Sequence, residues 1–154
     1  MLNYKKGINS IELLVVLAVL GVIFAIILPQ FSKTREQQML KNGVENTISA
    51  IDKAKTETLS SLNSSEYGVH FQADKVIIFK GKSFVPNTPD NENINITSPA
   101  SISNVTLGGV NDFSGEIYFN RLSGAPSAFG TVTISTPSYS KLITISATGN
   151  TSVD

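Results

Sequence analysis

The stretch KKGINSIELLVVLAVLGVIFAIILPQF, residues 5–31, decides how the rest of the chain is read. Residues 13–28 are uninterrupted apolar side chains. As a helix they would measure about 24 Å, short of a bilayer hydrocarbon core of about 30 Å. Starting the helix at Ile8 brings it to about 31 Å, with Asn9, Ser10 and Glu12 at one interface. Lys5 and Lys6 precede the run and no comparable basic cluster directly follows it. The positive-inside rule therefore expects residues 1–7 in the cytoplasm and everything past Pro29 exported. A cleavable secretory signal would end its apolar core in a small-x-small site, but this one ends in Ile27-Leu28-Pro29-Gln30-Phe31, so the anchor is expected to stay. Glu12 is the anomaly. Insertion scales assign a carboxylate about 2.5 to 3.5 kcal/mol at mid-bilayer and less near an interface. From periodicity alone, a plain signal anchor whose Glu12 reaches the headgroups accounts for the pattern.

Composition narrows the functional classes. The chain has 154 residues, enough for one ordinary domain, with twelve basic and twelve acidic side chains. That balance offers no whole-chain electrostatic hold on nucleic acid or on an anionic membrane surface. Shape and apolar contact are left to recognise a partner. With no cysteine there are no disulfides, thiolate nucleophiles or cysteine metal sites. The single histidine, His70, alternates with Val69 and Phe71, which puts it on the polar face of a strand and reads as an ordinary surface residue.

The run Gly7-Ile8-Asn9-Ser10-Ile11-Glu12, followed by LLVVLAVLGVIFAIILPQF, resembles the class III leader and first membrane segment of type IV pilins and type II secretion pseudopilins. The resemblance implies that residues 1–7 are a leader, cut between Gly7 and Ile8 by a membrane aspartic prepilin peptidase, with methylation of the new Ile8 amine. It also implies that Glu12, fifth in the mature chain, pairs with the amine of a neighbouring subunit and so sets the axial register of a fibre. Ile8 stands where the family usually has phenylalanine, and Asn9-Ser10 where it commonly has threonine-leucine. Helix geometry alone puts the new amine about 6 Å along the axis from Glu12, so an ion pair within one chain is equally available.

Residues 8–28 are thus expected to be a transmembrane helix. Residues 29–63 are expected to continue it as an amphipathic segment, with Pro29 kinking or loosening it because proline lacks a backbone donor. Leu40, Val44, Ile48, Ile51, Leu59 and Leu62 form its apolar stripe. Gly43 weakens it by about 1 kcal/mol. Lys33, Arg35, Glu36, Glu45, Asp52, Lys53, Lys55 and Glu57 read as a solvated face.

After residue 63 the period becomes alternating. YGVHFQADKVIIFKGKSFV predicts two or three strands around Ala73-Asp74 and Gly81-Lys82, VPNTPDNEN a polar loop, and INITSPASISNVTLGG two weak strands broken at Ser98-Pro99 and Gly108-Gly109. GEIYFNRLSG, GTVTISTP and KLITISATGN predict three clearer strands, pairing Ile117 with Phe119, Val132 with Ile134, and Ile143 with Ile145 on shared faces. Residues 64–154 are therefore expected to be a β-rich exported domain, and the whole an α+β protein with one long helix packed on an antiparallel sheet. The resemblance names this the type IV pilin fold. The strand sequences of the tail resemble, less specifically, the H-type minor pseudopilins.

No catalytic constellation, cofactor site or metal site stands out. Asp90, Glu92 and the amides between them could surround a calcium ion, but they lack a recognisable ligand order and read as a solvated turn. The expectation is an inner-membrane, single-pass structural subunit, not an enzyme, whose partners are the membrane, other pilins, the prepilin peptidase and a secretion assembly platform. Neither a small-molecule substrate nor nucleic acid is expected. The alternatives are a minor pilin of a DNA-uptake or adhesion pilus, which would need exposed cations, and a signal-anchored binding domain, which would need convergent polar groups.

Overall fold

The computed structural model describes residues 10–154. Gly7 and Ile8, the expected cleavage and methylation positions, lie outside the described residues. The chain divides into two compact units, Met1–Arg35 and Glu36–Asp154.

Helix α1 spans Ser10–Leu59, fifty residues, and passes through residue 29 without ending. Within the first unit every large apolar side chain from Ile11 to Ile27 is at least 42% exposed. A helix apolar all round its circumference needs lipid or partner helices to cover it. This one is long and apolar enough to cross a membrane.

In the second unit α1 packs on two antiparallel sheets. The first has the order β3-β2-β1-β6, built from β1 (Tyr67–Gln72), β2 (Lys75–Lys80), β3 (Glu92–Asn95) and β6 (Gly115–Tyr118). The second has the order β5-β4-β7-β8-β9, built from β4 (Ser101–Leu107), β5 (Val110–Asp112), β7 (Gly130–Ser135), β8 (Ser140–Ile145) and β9 (Thr151–Val153). The fold is α+β, with two sheets where alternation alone led us to expect one. Val69 and Phe71 of the first sheet, Val105, Val132, Ile134, Ile143 and Ile145 of the second, and Ile51 of α1 join one core cluster. The predicted pairs Ile117 with Phe119, Val132 with Ile134, and Ile143 with Ile145 are all buried there. Strands β5 and β9 are three-residue edge strands that the alternation did not reveal.

The buried stripe of the helix differs from the predicted one. Leu40, Val44 and Ile51 are buried and Ile48 is partly so, but Leu59 and Leu62 are 47% and 44% exposed. The face toward the sheets runs Leu40, Val44, Thr47, Ile51, Ala54, Thr58, alternating steps of four and three. Thr47 and Thr58 belong to a buried face because their hydroxyls bond back to the carbonyls of Gly43 and Ala54, each at 2.8 Å. Leu59, one position past Thr58, is carried about 100° away from that face. The helix also stops at Leu59, short of residue 63, because Ser61, Asn63 and Ser64 take left-handed φ values of 53°, 49° and 54°.

Gly43 has a packing reason as well as a propensity penalty. A Cβ there would lie 3.3 Å from Ile96 and 3.5 Å from Ile134, so the glycine lets α1 approach the strands closely.

Three side chains read as a solvated face tie α1 to strand β3 and to the loops on either side of β8. Lys55 Nζ donates to the carbonyls of Thr148 and Gly149 and to Asn150 Oδ1 at 3.1 to 3.2 Å. Lys53 Nζ reaches Glu92 Oε1 at 2.7 Å, and Glu36 Oε2 accepts from the Ser138 amide at 3.2 Å. Their alternation with polar neighbours is the same whether such a side chain meets water or a loop.

Candidate functional site

Two groups of residues merit a functional reading, one in each unit. In the first unit, Glu12 lies in the first turn of α1 and is exposed among exposed apolar side chains. Pro29, the expected kink, lies within α1, which continues on both sides of it.

The second group is on the face of the first sheet opposite the core. In β1, side chains alternate between faces, so Val69 and Phe71 enter the core while Gly68, His70 and Gln72 point the other way. Register places His70 between Ile77 of β2 and Glu116 of β6, and Gly68 between Phe79 and Tyr118. Gly68 has no Cβ because the Phe79 ring and the Ile117 carbonyl occupy the space one would need.

Alternation predicted that this outer face would meet water, but part of it is covered. The segment 81–91 between β2 and β3 folds back across it. The Phe84 ring stacks on the His70 imidazole with centroids 4.1 Å apart and 8° between planes, and meets Phe79 edge-on at 5.9 Å. Alternation left open whether a third strand follows Gly81-Lys82; Phe84 there is a cover instead. His70 is consequently a largely enclosed residue, its side chain 15% exposed. Its Nδ1 is buried without a hydrogen bond and lies 3.6 Å from Glu116 Oε2. Burial pushes the His70 pKa below the ordinary histidine value, against a smaller upward pull from the Glu116 carboxylate. Lys82 stands 5.9 Å over the Tyr118 ring beside this cluster.

Register, not sequence proximity, brings Glu116 to His70. A lone glutamate preceding Ile117 carries no local signal of a histidine forty-six positions earlier. Phe84 left one trace, an aromatic side chain just past Gly81-Lys82-Ser83 that finds no place in the alternation.

Of Asp90 and Glu92, it is Glu92 that already meets a cation of the chain. Glu92 bonds Lys53, whose pKa it holds above the ordinary lysine value. Among the described residues, no three His, Asp or Glu side chains come together as a metal-binding group.

An apolar groove of about 530 Å³ lies between α1 and β8–β9, with Leu40, Val44, Ile48, Tyr139 and Val153 in its walls and Lys41 and Lys141 at its rim. Such a surface suits contact with another apolar surface. Comparisons with protein-family models, curated proteins and solved structures gave no match.

Proposed function

We propose that this chain is a structural subunit of the type IV pilin-like superfamily, a minor pseudopilin or minor pilin that is cut after Gly7, held in the inner membrane and assembled into a secretion or pilus-like fibre. One observation carries the reading beside the sequence resemblance. In the helix Ser10–Leu59, the large apolar side chains from Ile11 to Ile27 are all exposed, while Leu40, Val44, Ile51 and Ala54 are part of a domain core. A signal anchor serving only as a tether has no need for its helix to continue as the central packing element of the exported domain. A subunit that leaves the bilayer to join a fibre keeps its apolar helical segment, which can exchange lipid for neighbouring helices.

In that assembly Glu12 is the addressed charge. Exposed on an apolar helix, it opposes deep insertion and favours whichever arrangement brings it a cation. The Ile8 amine of a neighbouring copy is the group that processing would supply. Chemistry plays no part in this function, which consists of register, contact and extension.

Intact-mass spectrometry of the protein recovered from membranes tests the reading. The expected species begins at Ile8, and Gly7→Leu is expected to remain full length. Recovery of unprocessed wild-type protein in cells with an active prepilin peptidase would refute the proposal.

A further inference from the structure

We propose that His70, Phe84 and Glu116 form a proton-operated latch that holds the 81–91 loop against the outer face of the first sheet near neutral pH and frees it in mild acid. The inference does not depend on the fibre reading.

The loop touches the sheet through few groups. Its internal bonds, Asn91 Nδ2 to the Val85 carbonyl at 2.8 Å and the Asn91 amide to the Thr88 carbonyl at 3.1 Å, make residues 85–91 a unit. Beneath that unit a gap of about 200 Å³ separates Pro86 and Asn87 from Gln72, Lys75 and Ile77. Phe84 is therefore the chief anchor. Its ring lies on His70, and its amide donates to Glu116 Oε2 at 3.3 Å. The same oxygen is the nearest acid to His70 Nδ1.

One carboxylate oxygen thus faces two donors once the imidazole is protonated. Neutral His70 leaves Oε2 to the Phe84 amide. A proton on the buried Nδ1 demands a partner, because a charged ring without water or a hydrogen bond is far costlier than a neutral one. Glu116 must then close the 3.6 Å gap and share itself between the ring and the Phe84 amide, or the loop must open and let water reach the ring. The other charged groups around the site discourage the first outcome. Lys75 of β2 shares the outer face one register row away, and Lys82 of the loop stands over Tyr118 of β6, so both oppose a second positive charge. Glu116 is itself 39% exposed, where solvent screens its attraction.

The pH dependence follows from proton linkage. A histidine whose pKa is lowered in the closed state binds more protons when the loop is open. The latch is therefore fully closed above the open-state pKa and loosens as pH falls from there toward the closed-state pKa. Between those midpoints the open fraction rises about tenfold per pH unit. Opening would uncover Ile77 and Phe79, 4% and 1% exposed when the loop is closed, and so present an apolar surface on acidification.

The test uses the full chain in detergent micelles, isotopically labelled at histidine, where one histidine gives one imidazole resonance to follow from pH 8 to pH 4.5. The expected midpoint lies below the ordinary histidine value. Amide exchange at 83–91, corrected for the intrinsic effect of pH, should rise over the same range while β7 and β8 stay protected. Phe84→Ala should return the midpoint toward the ordinary value and leave the loop unprotected at every pH. Glu116→Gln should lower the midpoint further. His70→Phe, which keeps the stack and cannot titrate, should hold the loop closed throughout. A midpoint at or above the ordinary value with constant loop exchange, or the same acid opening in His70→Phe, would overturn the latch.

Discussion

The backbone amide of Tyr67 donates a 2.8 Å hydrogen bond to Thr58 Oγ1, joining the last turn of α1 to the first residue of β1 across the irregular segment between them. Thr58 is fully buried, and its hydroxyl also bonds the Ala54 carbonyl, so one side chain satisfies a strand amide while staying within its helix. Because the bond lies in the core and not at the surface, water cannot replace it.

Thr58→Val keeps the shape and removes the oxygen. The Tyr67 amide is then buried without an acceptor, and the expected loss of stability is about 1 to 3 kcal/mol. Thr58→Ser should recover most of it. Thermal unfolding of the full chain in micelles, followed by circular dichroism in the β region, checks both. A valine variant as stable as the parent would show that the amide finds another partner.

Gly130 and Gly43 should respond to alanine very differently. A Cβ at Gly130 would run into the Thr106 carbonyl and lie 3.1 Å from Leu107 Cα, all backbone of the paired strand β4, which cannot give way without separating from β7. Overpacking of this kind costs about 1 to 3 kcal/mol and occasionally more. At Gly43 the nearest atom is a methyl group of Ile96 at 3.3 Å, and the gain in helix propensity of about 1 kcal/mol offsets a small shift of that side chain. The same melting experiment should show Gly130→Ala strongly destabilised and Gly43→Ala near the parent.

Glu12→Val separates insertion from assembly. Removing the carboxylate makes the helix more apolar, so membrane insertion should be unchanged or improved, while incorporation into sheared fibres should fall. Insertion is measured by alkaline extraction and assembly by sedimentation of the fibre fraction. Parental assembly by Glu12→Val would remove any register role for this residue.

Residues 36–154 should not hold duplex DNA at physiological salt. From residue 68 onward, Lys75, Lys80, Lys82, Arg121 and Lys141 face Asp74, Asp90, Glu92, Asp112, Glu116 and Asp154, a net charge of minus one. Lys75 and Lys80 are close in sequence but an odd number of positions apart on β2, which sends them to opposite faces of the sheet. Useful duplex affinity comes from neutralising several phosphates at once, and these side chains are not gathered for that. A gel-shift titration of residues 36–154 should show no submicromolar complex at about 150 mM salt. A tight, salt-sensitive complex would favour a DNA-uptake pilin.

The elements legible in the sequence are those governed by local physics. The apolar run ending at Leu28 identifies a helix that can cross a membrane, because solubility in lipid is a property of consecutive side chains. The strands around Ala73-Asp74, and the inward pairs such as Val132 with Ile134, follow from alternation and turn chemistry, which act over a few residues. The proposed processing signal, Gly7 through Glu12, is likewise a local pattern, and its standing rests on the sequence. Tertiary structure decided what depends on partners far along the chain. It buried Thr47 and Thr58 in place of Leu59 and Leu62, because a hydroxyl that bonds its own helix can enter a core, while Leu59 lies one position off the face and Leu62 past the helix end. It divided the strands between two sheets, since pairing is a matter of which edges meet. It also turned His70 from a surface residue into an enclosed one. Only the fold could bring Phe84 over the ring and Glu116 beside it, because register and loop closure carry no mark in the residues that they join.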